Sequence, residues 1–88
     1  MENSILRSIK KVLGLDYDYL AFDQDVIMHI NATFSVLSQL GIGPTEGYTI
    51  EDDAASWDDY NLGTTSMSFK GLVKTYMYLK VRMLFDPP

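Results

Sequence analysis

FDQDVIMHINATFSVLSQLGIGP, residues 22–44, is the stretch on which the fold turns. Val26, Ile27, Ile30, Phe34, Leu37 and Leu40 recur at helical spacing and gather on one face, while Asn31, Ser35, Ser38 and Gln39 share the other. Asp23 or Gln24 begins the helix. Asp25 sits in its first turn, where the exposed N–H groups favour an acid, and Gly41 stops it after Leu40. A helix with one apolar face needs neighbours to cover that face, so the flanking sequence has to supply them.

Toward the N-terminus, Ser4 to Leu13 places Ile5, Leu6, Ile9, Val12 and Leu13 on one side and Arg7, Lys10 and Lys11 on the other, a short amphipathic helix. Asn3 or Ser4 caps its start, and Gly14 closes its end in the left-handed conformation. The connector from Leu15 to Asp23 is rich in acids and aromatics and has no clear periodicity. Toward the C-terminus, Gly41 to Ser66 reads as a long irregular region with the densest acidic patch of the chain. Within it Tyr48-Thr49-Ile50 suits a short strand. Ser56 and Asp59 have capping-box spacing, so Ser56 to Tyr60 forms one helical turn before Asn61-Leu62-Gly63 breaks it.

The last helix runs from Ser66 or Met67 to about Phe85, and Pro87-Pro88 ends it. Its core stripe reads as Phe69, Leu72, Val73, Tyr76, Leu79 and Met83. A second apolar stripe, Tyr78, Val81 and Phe85, lies on the other side among Lys70, Lys74 and Arg82, and a helix apolar on two sides needs a partner on each. Lys80 falls within the first stripe, where it must reach water or pair with an acid. The expected fold is all-α: a small bundle of three main helices, with a long acidic loop between the second and third, in a single domain over residues 1–88.

Charge is segregated along the chain. All seven basic residues lie near the ends, Arg7, Lys10, Lys11, Lys70, Lys74, Lys80 and Arg82, whereas ten of the twelve acids lie between Val12 and Phe69. Unlike poles on one small chain favour head-to-tail assembly between copies. Oligomerisation is also the route to stability left to 88 residues with no cysteine and one histidine, because a core this small is marginal alone. The net charge of −5 argues against direct nucleic-acid binding. No apolar run is long enough to span a bilayer, and the start lacks signal-peptide order, so a soluble intracellular protein is expected.

Reactive chemistry finds no support in the residues. Glu51-Asp52-Asp53 with Asp58-Asp59 lacks the alternation, the glycine and the terminal glutamate of an EF-hand loop. His29 has no serine or cysteine partner at a motif spacing, and Gly41-Ile42-Gly43 lacks the rest of a dinucleotide motif. No catalytic residue, metal or cofactor is expected. Trp57 and Tyr60 stand inside the acidic loop, as anchors onto the helices or as interface hot spots.

ILRSIKKVLGL followed by Asp-Tyr, the 22–44 stretch, and VKTYMYLKVRMLFDPP together resemble the bacteriophage head-tail connector family along nearly the whole chain. The resemblance implies a structural virion protein at the head-tail interface, assembled in the host cytoplasm. It implies an adaptor ring, twelvefold to match the portal, that joins the portal protein to a tail or stopper protein, with DNA free to pass through. Relatives of this kind continue past Asp-Pro-Pro with a further short helix, so contacts of that helix are not carried over to Pro88.

The expected subunit or partner interface sets Lys70, Lys74, Tyr78, Val81, Arg82 and Phe85 of the last helix against Glu51, Asp52, Asp53, Trp57, Asp58, Asp59 and Tyr60 of the loop. The competing readings are an acidic regulator that mimics nucleic acid toward a basic partner, and a metal-dependent enzyme built on the Asp cluster.

Overall fold

Two glycines and one serine set the frame. The computed structural model describes residues 4–16, 18–42, 47–60 and 67–85, with side chains in the last span from Gly71 onward. Helix α1 is Ile5–Val12, α2 is Asp23–Gln39 and α3 is Met67–Phe85. Ser4 caps α1, its Oγ accepting the Arg7 N–H at 3.3 Å. Gly14 and Gly41 take φ of +78° and +82°, a region other residues enter at a cost, and each ends a helix. After α1 the Leu15 N–H donates to Lys10 O at 2.8 Å and Gly14 N–H to Lys11 O at 3.1 Å; after α2 the Ile42 N–H donates to Leu37 O at 2.9 Å and Gly41 N–H to Ser38 O at 3.0 Å. Both ends are therefore Schellman motifs, which satisfy the last carbonyls and turn the chain back.

The core is shared by all three helices and the loop. Ile5, Leu6 and Ile9 of α1, Val26, Ile27, Ile30, Phe34 and Leu37 of α2, and Val73, Met77 and Val81 of α3 are buried together with Ile50, Trp57 and Tyr60 of the loop. Phe34 is the hub of an aromatic cluster, with ring centroids 4.8 Å from Tyr60, 5.2 Å from Tyr48 and 6.4 Å from Trp57. At the other end Phe22 meets Phe85 edge to face at 5.5 Å and Tyr19 at 5.7 Å, which fastens the α1–α2 connector to the end of α3.

The structure bears out the all-α class and the three helices, and it corrects four local expectations. Helix α3 is turned by nearly half a revolution relative to the expected phase. Val73 is buried as expected, but Leu72, Tyr76, Leu79 and Met83 point to solvent, and Val81 is buried with Tyr78 and Phe85 packed against the core. Small β-branched Val73 and Val81 flank Met77 on the buried side of α3, whereas the longer side chains of the other stripe are left outward among the described residues. Lys10 is not on an outer face: it is 1% exposed, with Nζ 2.7 Å from Asp23 Oδ1 and donating to Tyr19 O at 2.7 Å. Leu40 lies past the last turn and is exposed, because the chain has begun to turn toward Gly41. Tyr48 to Ile50 forms no strand, and its partner is a side chain: Asn31 Oδ1 accepts the Ile50 N–H at 2.8 Å and Asn31 Nδ2 donates to Ile50 O at 3.0 Å. The expectations for Phe69, for the Asn61-Leu62-Gly63 break and for Pro87-Pro88 lie outside the described residues.

Candidate assembly interface

The acidic loop is built as a wall of the domain before it is a surface. Ser56 and Asp59 form the reciprocal capping box expected from their spacing: Ser56 N–H donates to Asp59 Oδ2 at 2.9 Å and Asp59 N–H to Ser56 Oγ at 3.2 Å. This single turn drives Trp57 and Tyr60 inward, each 1% exposed, so both are anchors within the chain. The Trp57 indole donates to Ser8 Oγ at 2.9 Å, and that hydroxyl donates to Ile5 O at 2.9 Å. The loop is also tied to the start of α1, with Ile5 N–H donating to Ala55 O at 3.0 Å and Ser4 Oγ to Asp53 O at 2.8 Å.

Part of the charge segregation is resolved inside one chain. Arg7 reaches Asp53 Oδ2 through Nε and Nη2, both at 3.0 Å, an exposed pair worth little by itself but aligned with the backbone contacts beside it. The Lys74 ammonium lies 5.5 Å from the centroid of a Trp57 ring, a cation–π contact that holds α3 over the loop. Lys10 is spent on Asp23. Glu51, Asp52, Asp58 and Asp59 stay exposed on the loop, Asp52 also accepting the Ala54 N–H at 2.8 Å. Arg82 is exposed and Lys80 half-buried on α3.

Burial raises the Tyr60 phenol above its ordinary value of 10.0. Tyr48 is raised by burial first and then by the carboxylate of Asp59. Neither shift brings a phenol near neutral pH as a base. An open groove of about 280 Å³ lined by Asn31, Ser35, Ser38, Gln39, Gly47, Tyr48 and Thr49 carries no acid–base pair. Among the described residues no three carboxylate or imidazole side chains converge on a point that would hold a cation.

The expected interface residues are thereby divided. Trp57, Tyr60 and Val81 are interior, and Tyr78 and Phe85 pack against the core, so these five present little surface to a partner. Arg82, Glu51, Asp52, Asp53, Asp58 and Asp59 are exposed, Lys74 is half-buried against Trp57, and the Lys70 side chain lies outside the described residues.

On α3 the outward apolar residues are instead Leu72, Tyr76, Leu79 and Met83, which are 65%, 37%, 64% and 60% exposed. Their spacing of four, three and four residues makes one continuous stripe along α3. Sequence reasoning assigned these residues to the core. Its warning signal was Lys80, a cation bordering a stripe that was supposed to be dry.

A family model described as phage connector protein matches residues 5–88. No curated protein and no solved structure matches the chain. No helix among the described residues is long and apolar enough to cross a membrane. Its distinctive features are outward helix faces and a pinned acidic loop rather than assembled reactive groups, and all three helices fall within the matched span: the chain belongs to the phage connector protein family, a family of structural virion proteins.

Proposed function

We propose that this chain is the adaptor subunit of a tailed phage, assembled in the host cytoplasm into a homo-oligomeric ring of twelve copies between the portal protein and the tail or stopper protein. The observation that carries this reading is the exposed stripe Leu72, Tyr76, Leu79 and Met83. An 88-residue chain that keeps a run of large apolar side chains outward from Leu72 to Met83 is carrying a protein-binding surface. The contact is head to tail. Two α3 helices facing each other would pair two basic helices that contain no acid, whereas a heterologous contact brings α3 to a different and acidic surface of the next subunit and closes into a ring when the rotation allows. Glu51, Asp52, Asp58 and Asp59 are then offered at the rim of the ring to basic surfaces of the portal or tail proteins.

The experiment is a phage with a nonsense codon in the gene for this chain, grown on suppressing and non-suppressing hosts. The expected result without suppression is DNA-filled heads and free tails that do not join. Complete, infectious particles lacking the chain would overturn the reading.

A further inference from the structure

We infer that the seam between neighbouring copies is a two-helix contact: the outer stripe of α3 of one copy lies antiparallel on the outer stripe of α2 of the next. This rests on the ring reading and names the surface that receives α3, which is α2 and not the acidic loop. Helix α2 buries Val26, Ile30, Phe34 and Leu37 in the shared core and turns Asp25, Met28, Ala32 and Val36 outward, all of them exposed. Helix α3 buries Val73, Met77 and Val81 and turns Leu72, Tyr76, Leu79 and Met83 away. Both stripes face away from the core that the three helices share, so the subunit carries two different outward helix faces, as a heterologous contact requires.

Three features select each stripe as the other's occupant. The first is length: Asp25 to Val36 and Leu72 to Met83 are both eleven steps, roughly 17 Å at ~1.5 Å rise per residue. The second is charge. Helix α2 contains acids and no lysine or arginine, whereas α3 contains lysines and an arginine and no acid. With Asp23 paired with Lys10 and Lys74 over Trp57, the charged side chains left beside these stripes among the described residues are Asp25 at the N-terminal end of one, and Lys80 and Arg82 near the C-terminal end of the other. An antiparallel arrangement brings them together.

The third is size. In that register Val36 faces Leu72, Ala32 faces Tyr76, Met28 faces Leu79 and Asp25 faces Met83 beside Arg82. The smallest side chain of one stripe thus receives the largest of the other, which is how facing helix surfaces interdigitate. Among the described residues of the acidic loop, Trp57 and Tyr60 are already inside the chain's own core and form no outward stripe.

The chain has no cysteine, so the contact can be read by a short bismaleimide on the purified full-length protein. The variant carrying both Met28→Cys and Leu79→Cys is expected to give a ladder of linked species ending at the closed ring, while each single variant gives no linked product. Arg82→Glu is expected to lower the ladder yield about tenfold, and Asp25→Arg added to it restores the yield. Both positions are exposed, so the circular dichroism and the Trp57 fluorescence stay as in the parent. A ring mass with no ladder from the double variant overturns the seam and leaves the ring reading standing. A dimer from Leu79→Cys alone means that α3 meets α3 and overturns the seam as well. A monomer at every concentration with no linked product overturns both.

Discussion

Ser8 Oγ stands between two partners 49 and three residues away in the chain, accepting the Trp57 indole N–H at 2.9 Å and donating to Ile5 O at 2.9 Å. The hydroxyl is buried and makes α1 the support of the acidic loop. Ser8→Ala leaves the indole N–H unpaired in the core and is expected to cost about 1–3 kcal/mol. At ~4–8 °C per kcal/mol for a domain of this size, the melting temperature falls by roughly 5–20 °C. A melt of the variant that coincides with that of the parent would show that water reaches the indole.

Lys10 and Asp23 form a pair in which the ammonium is almost wholly buried. Asp23→Ala strands that charge and is expected to cost about 3 kcal/mol, the low end for a broken buried pair because the carboxylate retains some contact with water. Replacing both, Lys10→Met with Asp23→Leu, returns stability to within about 1 kcal/mol of the parent. Urea unfolding of the two variants checks the order. Equal losses in both would mean that the packing of the lysine stem, and not its charge, is what matters.

Asn31 satisfies both backbone groups of Ile50. Asn31→Ala is expected to cost about 2 kcal/mol, near ~1 for each hydrogen bond lost, and to accelerate amide exchange at Ile50 more than in α1. Asn31→Asp keeps an acceptor for the N–H but sets a carboxylate against the carbonyl, so it does not restore protection.

The phase of α3 is tested by a pair of substitutions. Leu79→Glu on the outer stripe is expected to change unfolding stability by no more than about 0.5 kcal/mol, as for an exposed site, while abolishing the ring mass. Met77→Ala on the inner face is expected to cost about 2–5 kcal/mol. If Leu79→Glu unfolds the isolated chain instead, the stripe is core and the helix is phased the other way.

Tyr48 and Tyr60 carry phenols raised above the ordinary value of 10.0. Below that value both are neutral in folded and unfolded chains and contribute no pH dependence. Above it the unfolded chain releases its protons first, so stability falls as pH rises from 10.0 toward the higher folded values. Guanidinium unfolding between pH 8 and pH 11 is expected to show this loss, and Tyr48→Phe with Tyr60→Phe flattens it. Asp59→Asn lessens the share that belongs to Tyr48.

How much of this was legible in the sequence depended on whether the controlling interaction was local. The three helices, the left-handed Gly14 after α1, the stop at Gly41 after α2 and the Ser56–Asp59 capping box rest on residues within about one helical turn of each other, and spacing alone revealed them. Segregation of charge was equally plain, yet spacing did not show that Arg7 meets Asp53 and Lys10 meets Asp23, since the first pair depends on where the loop folds back. The Asn31–Ile50 clamp took the place of the strand expected at Tyr48 to Ile50 for the same reason: a side-chain amide 19 residues away has no signature in the local pattern.

The candidate surface shows the boundary most sharply. From periodicity alone α3 is a helix with two apolar stripes, one for its own core and one for a partner, and that much the amino-acid sequence by itself determined. Which stripe was which, the tertiary structure decided. Leu72, Tyr76, Leu79 and Met83 are as apolar as Val73, Met77 and Val81, and what chose between them was the fit of small side chains against α2 and of Tyr78 and Phe85 against Trp57 and Phe22. Burial free energy follows area and not direction, so two equally apolar faces are degenerate until the shape of a neighbour removes the degeneracy.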